Sequence, residues 1–323
     1  MPEFALIDRL RRRVSGRADV ALGIGDDAAL LQPGPGEQLA ITSDTLNAGV
    51  HFPVETAAAD IGWKTLAVNL SDLAAMGAQP RWCTLSLSLP EDDPAWLEAF
   101  ADGFFALADA HGVALVGGDT TRGPLSLSVT ALGTLPAGVA LRRDAAQVGD
   151  EVWITGMPGE AAAALALWQE GGLDVAIAAS EPWQEQLRQR LLRPTPRIEA
   201  GLRLRGLAHA CVDVSDGLLS DLGHVCGASG VGAQLALAQV PVSAALRGTG
   251  DSRIRQWQMS GGDDYELCFT APRQHHDAVR DALAFAGVEG HCIGLIEAGS
   301  GVRVLDEAGA AWQPPRSGYQ HFG

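Results

Sequence analysis

The sequence predicts an α/β protein (α+β) of two domains, each with a mixed sheet. A chain of 323 residues is about twice the length of a typical domain, and its 47% hydrophobic content can supply two cores. Strand-like alternation and helical periodicity follow one another in both halves of the chain. Glycine and proline interrupt this pattern at 136–150, so we predict an N-terminal domain over 1–140 and a C-terminal domain over 141–323.

The first half opens with an amphipathic helix. Its apolar residues Phe4, Ile7 and Leu10 recur at helical spacing, with arginines on the other face, which predicts a helix over 4–14. Apolar residues at alternate positions predict strands at 19–24, 38–43, 81–89, 113–117 and 125–135. Helical periodicity between these strands predicts helices at 56–76 and 94–111.

The second half repeats this order of elements. Strand-like runs predict strands at 151–155, 210–214, 232–237, 266–271, 291–296 and 302–306. Helical periodicity predicts helices at 159–170, 182–192, 196–206, 216–227 and 274–286. In α/β domains of this kind, the loops at the strand ends are free to bind ligands.

The charge balance and the cysteines exclude several classes of protein. The chain has 23 basic and 39 acidic residues, a net charge of −16, which disfavours nucleic acid or an anionic membrane as partner. No run is apolar enough for export or membrane insertion, so we expect a cytoplasmic protein. The five cysteines lack C-x-x-C spacing, which argues against a disulfide framework and a zinc site. Lys64, the only lysine, follows Trp63, so the chain has no Walker A motif.

Ten acidic residues are concentrated in short segments, most of them beside glycine. The segments are 23–27, 43–45, 69–72, 117–120, 213–217 and 261–266. They contain no lysine or arginine, so their carboxylates would repel one another unless a cation joined them. Mg²⁺ prefers oxygen ligands and usually shares them with substrate phosphates. These segments therefore predict a metal-dependent enzyme that handles phosphates.

Two of these motifs partly match other known binding patterns. Residues 23–28 match the dinucleotide pattern G-x-G-x-x-A, but two carboxylates would occupy the pyrophosphate position and Pro33 would cut off the required helix. Residues 213–224 begin like a calcium loop, yet Gly217 stands at position five instead of six and His224 at position twelve. Helix capping around Ser215 and a tight turn at 261–266 remain open alternatives.

Taken together, these motifs resemble the bacterial thiamine-monophosphate kinase family. The resemblance covers essentially the whole chain and includes the run NLSDLAAMGA at 69–78 and the tail GYQHF at 318–322. It implies the fold of aminoimidazole ribonucleotide synthetase, with N-terminal domains pairing into a barrel-like homodimer. It also implies Mg²⁺-assisted, in-line transfer of the ATP γ-phosphoryl group to thiamine monophosphate, which yields thiamine diphosphate.

The resemblance also implies roles for individual residues. The implied ligands of several Mg²⁺ ions are Asp27, Thr42 or Ser43, Asp44, Asp72, Asp119, Asp213 and Asp216. The implied ATP contacts are Gly118, Asp119, Arg143 and Ser215, and the implied thiamine contacts are His51, Asp263 and Tyr319. Many relatives have glutamate at the position of Asp263. No general base is expected, because the attacking phosphate oxygen is already ionised at neutral pH.

Two kinds of alternative function remain open. Within the same fold, selenophosphate synthetases carry a reactive cysteine near the N-terminus, whereas the first cysteine here is Cys83. Hydrogenase-maturation dehydratases end in cysteine, whereas this chain ends in Gly323. Aminoimidazole ribonucleotide synthetase itself is not excluded by the sequence. From a different class, a non-catalytic protein that binds nucleotide or divalent cations would carry the same acidic motifs.

Overall fold

A computed structural model describes residues 3–314 and 318–319 of the chain. It divides into two compact units, Met1–Leu73 with Ala78–Gly138, and Ala74–Gly77 with Val139–Gly323. Each unit contains helices and one mixed sheet, so the predicted α/β class is confirmed. Among the described residues, no helix combines the length and the apolar character needed to cross a membrane.

The first unit is built on a four-stranded sheet. Its elements are α1 (Glu3–Arg13), β1 (Val20–Leu22), β2 (Leu30–Leu31), β3 (Glu37–Asn47), α2 (Ala58–Ala75), β4 (Gln79–Leu89), α3 (Pro94–His111), β5 (Ala114–Arg122) and β6 (Ser126–Pro136). The strand order is β3-β6-β4-β5, and β4 and β5 run parallel while the other neighbours run antiparallel. Strands β1 and β2 form a separate antiparallel pair.

Two strands of this sheet are longer than the sequence predicts. The prediction ends one strand at Ser43, because Asp44 and Asn47 are poor strand formers. In the structure, β3 continues to Asn47 because all eleven of its residues pair with β6. The strand predicted at 113–117 is likewise extended in β5, which pairs with β4 as far as Arg122. Pairing with a neighbouring strand overrides the local preference in both cases.

Helices α2 and α3 supply much of the core of the first unit. Leu66 and Leu70 of α2 and Phe100 and Phe104 of α3 are fully buried. Helix α3 begins where the Asp93 carboxylate accepts hydrogen bonds from two backbone N–H groups of the first turn, and Pro94 follows at the first helical position. These signals explain why the predicted bounds of 94–111 agree with the observed ones.

The second unit contains a seven-stranded sheet in the order β13-β12-β9-β11-β7-β10-β8. Its elements are β7 (Glu151–Thr155), α4 (Glu160–Gln169), α5 (Pro182–Leu192), α6 (Ile198–Leu204), β8 (Ala210–Asp213), α7 (Leu218–Ser229), β9 (Gly232–Ala236), α8 (Ala244–Gly248), α9 (Ile254–Ser260), β10 (Leu267–Ala271), α10 (His276–Phe285), β11 (Gly290–Glu297), β12 (Gly301–Leu305) and β13 (Ala311–Trp312). Strands β9 and β12 are parallel, and the remaining pairs are antiparallel.

Both faces of the second sheet are covered. On one face, Val152, Ile154 and Val212 lie in a buried cluster with Leu222 and Val225 of α7. On the other face, Trp153 of β7 stacks on Phe269 of β10, with ring centroids 6.2 Å apart. Strands β7 and β10 and the edge strand β8 are buried along their whole length.

Candidate active site

Asp44 and Asp72 form a close acidic pair in the first unit. Asp44 lies on β3, and Asp72 lies on α2 one turn after Asn69. The Asn69 Oδ1 atom accepts a hydrogen bond from the Asp44 backbone N–H at 3.1 Å, and the Thr42 hydroxyl donates to Asp72 Oδ2. Burial and the charge of Asp72 raise the pKa of Asp44 to about 6. The structure therefore brings together two predicted ligands that are 28 positions apart in the sequence.

Thr42 and Ser43 point to opposite faces of the sheet. Successive side chains alternate along a strand, and Thr42 lies on the same face as Asp44. The Ser43 hydroxyl lies 3.2 Å from the Val129 carbonyl oxygen and 3.1 Å from the Thr130 hydroxyl. Of the two candidates, Thr42 is the one whose side chain joins the acidic pair.

Asp119 lies apart from this pair, and Asp27 lies in the segment between β1 and β2. Asp119 is exposed on β5, three strands away from β3 and thus about 14 Å across the sheet. Its carboxylate accepts a hydrogen bond from the Thr120 N–H at 2.9 Å. Asp27 is exposed after β1, and its N–H donates to the Asp26 carboxylate at 2.8 Å. Both residues are exposed, so their carboxylates are accessible to a ligand.

Gly118 allows β5 to approach β4 beside Asp119. A Cβ atom at Gly118 would lie 1.8 Å from the Leu85 carbonyl oxygen, so no larger residue fits at this position. The backbone of Gly118 is exposed. This combination suits close approach by a phosphate group.

His51 is held by its own turn and by a buried lysine. Its Nδ1 atom accepts a hydrogen bond from the Asn47 N–H at 3.0 Å, so the neutral ring carries its proton on Nε2. The Lys64 ammonium donates to the His51 carbonyl oxygen at 3.2 Å, and Lys64 is only 1% exposed. The sequence marks Lys64 as the only lysine of the chain but does not reveal this contact.

In the second unit, Asp221 organises the loop that follows β8. The N–H groups of Ser215, Asp216 and Gly217 all donate to its Oδ2 atom at 3.1 Å. Burial and the charge of Asp216 raise the pKa of Asp221 to about 6, although these N–H bonds favour its ionised form. The sequence prediction does not include Asp221, which lies in the first turn of the observed α7. It fixes the backbone that carries Ser215 and Asp216, next to the buried Asp213.

The loop that carries Ser215 is contacted by the backbones of Asp263 and Tyr319. The Asp263 N–H donates to the Ser215 carbonyl oxygen at 2.8 Å, and the Tyr319 N–H donates to the Asp216 carbonyl oxygen at 3.0 Å. Tyr319 is 48% exposed, so its ring is available to stack on a ligand. Three residues predicted from distant parts of the sequence are thus neighbours in this unit.

Arg143 precedes β7 and is exposed. Its carbonyl oxygen accepts a hydrogen bond from the Ser229 hydroxyl at 2.9 Å, which ties this segment to the end of α7. The adjacent Arg142 pairs with Asp144 at 2.5 Å. Local contacts therefore fix the backbone of Arg143.

The acidic pair fits a hard cation. Asp44, Asp72 and Thr42 offer carboxylate and hydroxyl oxygens, and the pKa of Asp44 is raised first by burial and second by the charge of Asp72, a repulsion that a cation would relieve. In the part of the chain that the structure describes, no group of three or more His, Cys, Asp or Glu side chains is arranged to hold a metal ion. A bound ion would thus draw its remaining ligands from backbone, water or substrate.

Asp44→Asn is expected to stabilise the metal-free protein by about 1–2 kcal/mol at neutral pH, because it removes a carboxylate whose ionised form is disfavoured. The folded pKa of about 6 lies above the ordinary value of 3.8, so the penalty is fully present above pH 6 and is relieved as pH falls through that value. Melting temperatures of the wild type and of Asp44→Asn should be measured in a chelating buffer at neutral pH and near pH 4. The advantage of the variant should be smaller near pH 4. An equal difference in melting temperature at both pH values would contradict the raised pKa of Asp44.

The chain matches the AIRS family models in both halves. The model of the AIR synthase related protein, N-terminal domain, covers residues 25–135, and that of the C-terminal domain covers residues 147–307. Thiamine-monophosphate kinase of Salmonella typhimurium is 51% identical over 298 residues, which cover 92% of this chain and 90% of that protein.

Solved structures are similar to the chain over nearly its whole length. The crystal structure of thiamine-monophosphate kinase from Stenotrophomonas maltophilia is 60% identical with a TM-score of 0.90, covering 97% of this chain and 98% of that one. A structure described as AaThiL complexed with AMPPCP and TMP is 32% identical with a TM-score of 0.78. The match covers 99% of this chain and 97% of that one. The chain therefore belongs to the thiamine-monophosphate kinase family.

Proposed function

We propose that the chain transfers the γ-phosphoryl group of ATP to thiamine monophosphate and so forms thiamine diphosphate. The observation that carries this proposal is the likeness, over 99% of the chain, to a structure that holds AMPPCP and TMP together. AMPPCP is an ATP analogue, so that structure holds an analogue of the phosphoryl donor together with TMP. The identity of 51% to a thiamine-monophosphate kinase supports the same reaction.

The acidic residues would hold several Mg²⁺ ions. In the first unit these residues are Asp27, Asp44, Asp72 and Asp119 with Thr42 or Ser43, and in the second unit they are Asp213 and Asp216. The oxygen chemistry of these side chains and the charge repulsion at Asp44 support this assignment. When bound, Mg²⁺ would screen the repulsion between the two phosphate groups and align their oxygens for in-line attack.

The remaining residues would bind and orient the two substrates. The exposed backbone of Gly118 would lie against a phosphate, while Ser215 and Arg143 offer a hydroxyl and a guanidinium to the nucleotide. His51 and Tyr319 offer an imidazole N–H and an exposed ring to thiamine, and the carboxylate of Asp263 suits its cationic thiazolium ring. No residue acts as a general base, because the acceptor phosphate is already ionised.

The proposed reaction is tested by incubating the purified chain with Mg²⁺, ATP and one acceptor at a time. We expect ADP and thiamine diphosphate from thiamine monophosphate, and at most slow turnover of free thiamine, whose neutral hydroxyl would require a base. Formylglycinamidine ribonucleotide serves as the comparison substrate for the aminoimidazole ribonucleotide synthetase alternative. Turnover of that compound in place of thiamine monophosphate would overturn the proposal, and efficient use of thiamine would reveal a base.

We also propose that two copies pair through the N-terminal domain. Strand β3 lies at the edge of the first sheet and exposes Leu39 and Ile41, which are 46% and 62% exposed. A second copy would cover this apolar face in a barrel-like homodimer. Residues 1–140 would then serve dimerisation and carry metal and ATP motifs, and residues 141–323 would carry nucleotide, metal and substrate motifs. The use of ATP supports a cytoplasmic location. A monomeric mass by light scattering would contradict the dimer.

A further inference from the structure

A buried ionic network anchors one end of the segment 261–266. The carboxylate of Glu266 is fully buried and accepts hydrogen bonds from Arg190 at 2.7 Å, from Arg197 at 2.7 and 2.5 Å, and from the Thr155 hydroxyl at 2.6 Å. The Glu266 side chain also occupies the space beside Gly156, where a Cβ atom would lie 2.3 Å from its Oε1 atom. Glu266 is therefore fixed by partners on β7, on α5 and just before α6.

Asp264 anchors the same segment two residues earlier. Its side chain is 1% exposed, and its two carboxylate oxygens accept the Gly159 N–H at 2.9 and 2.8 Å. The Asp264 carbonyl oxygen accepts a hydrogen bond from Arg190 at 3.0 Å, so one arginine binds both anchors. Asp264 and Glu266 thus serve the fold, in contrast to the exposed Asp27 and Asp119.

The two residues beside these anchors have a strained backbone. Asp263 and Tyr265 have φ angles of 67° and 50°, and they are the described residues other than glycine with positive φ. This left-handed conformation costs about 1–2 kcal/mol for a residue with a side chain. The conformation persists because Asp264 and Glu266 are held from both sides. Strain of this kind is characteristic of positions where the direction of a side chain matters.

The strained backbone places two side chains against each other. The Tyr265 hydroxyl donates a hydrogen bond to Asp263 Oδ1 at 3.0 Å. The Tyr265 ring is buried, with 7% exposure, whereas Asp263 is half-buried. A rigid, buried donor therefore holds a carboxylate that is still accessible. A hydrogen bond to an ionised acceptor is stronger than one between neutral groups and limits the rotation of the carboxylate.

We propose that Tyr265 is a positioning residue for substrate binding. Its hydroxyl fixes the Asp263 carboxylate in the orientation that pairs with the cationic ring of thiamine monophosphate. The anchors Glu266 and Asp264 support Tyr265 in turn. This inference rests on the proposed function, because it assumes that Asp263 contacts the thiazolium ring. Tyr265 itself touches no reacting atom, so it acts on binding of the acceptor and not on the phosphoryl-transfer step.

The test is the Tyr265→Phe variant, which keeps the buried ring and removes the hydroxyl. We expect the KM for thiamine monophosphate to rise about tenfold, as for a lost hydrogen bond to a charged group, while the KM for ATP and the kcat stay unchanged. Asp263→Asn should raise the same KM by at least as much. Adding Tyr265→Phe to Asp263→Asn should then cause no further rise, because the partner of the hydroxyl has lost its charge.

A matched control is Thr249→Val, which removes a hydroxyl bonded to the Leu246 carbonyl oxygen in the same unit. It should leave both KM values unchanged. If Asp263→Asn raises the KM and Tyr265→Phe does not, or if the two effects add, the positioning role is overturned while the proposed function stands. If Asp263→Asn leaves the KM for thiamine monophosphate unchanged, Asp263 does not contact the substrate. The positioning role of Tyr265 is then overturned as well. A wild-type chain without turnover of thiamine monophosphate would overturn the proposed function itself.

Discussion

Asp72→Asn should lower kcat/KM for thiamine diphosphate formation by at least about a thousandfold. The substitution keeps the shape of the side chain but removes one of the two charges in the acidic pair of β3 and α2. A metal ion supplies several kcal/mol of charge stabilisation in phosphoryl transfer, and each 1.4 kcal/mol corresponds to about a factor of ten in rate. Asp213→Asn, in the second unit, should have a comparable effect. Steady-state kinetics over a range of Mg²⁺ concentrations would measure both.

The control for Asp72→Asn is Asp102→Asn, an exposed aspartate of α3 that pairs with Arg13. It should retain full activity. Thermal unfolding adds a second readout, because Mg²⁺ with AMPPCP should raise the melting temperature of the wild type more than either ligand alone. The Asp72→Asn variant should fold and should lose this joint stabilisation. Near wild-type rates of Asp72→Asn at saturating Mg²⁺ would show that Asp72 is not a metal ligand.

The order of elements could be predicted because hydrophobic periodicity reflects burial directly. Most predicted elements agree with the structure within a few residues, and those at 94–111, 151–155 and 182–192 agree at both ends. Helices α8 and α9 are absent from the prediction, and α8 has only five residues, too few to show a periodic pattern. The extents of β3 and β5 depend on pairing between strands, which a local pattern does not encode.

The candidate site was predicted from residue types, but its geometry required the fold. Asp44 and Asp72 are predicted as ligands, and their proximity depends on how α2 packs against β3. The choice between Thr42 and Ser43 depends on the register of β3. Asp221 was missed because a carboxylate that binds backbone N–H groups has no distinctive sequence pattern.

Glu266 corrects one step of the sequence argument. The sequence suggests that all ten acids in the six segments lack a compensating cation, because no lysine or arginine occurs among them. In the structure, the charge of Glu266 is compensated by Arg190 and Arg197, which are 76 and 69 positions away. Contacts between residues so distant in sequence arise from tertiary packing. Proximity in sequence is thus a poor guide to which carboxylates are free to bind a metal.

Glu266→Gln should destabilise the protein by about 3–5 kcal/mol, because it leaves two arginines largely buried without their main counter-ion. Glutamine keeps the size of the side chain, so the loss reports charge and not a cavity. The matched control is Glu297→Gln, which breaks an exposed pair with Arg303 at 2.8 Å and should leave the melting temperature unchanged. Thermal unfolding of both variants beside the wild type would measure the difference. Equal melting temperatures for all three proteins would mean that the network does not hold the strained segment of Asp263 and Tyr265.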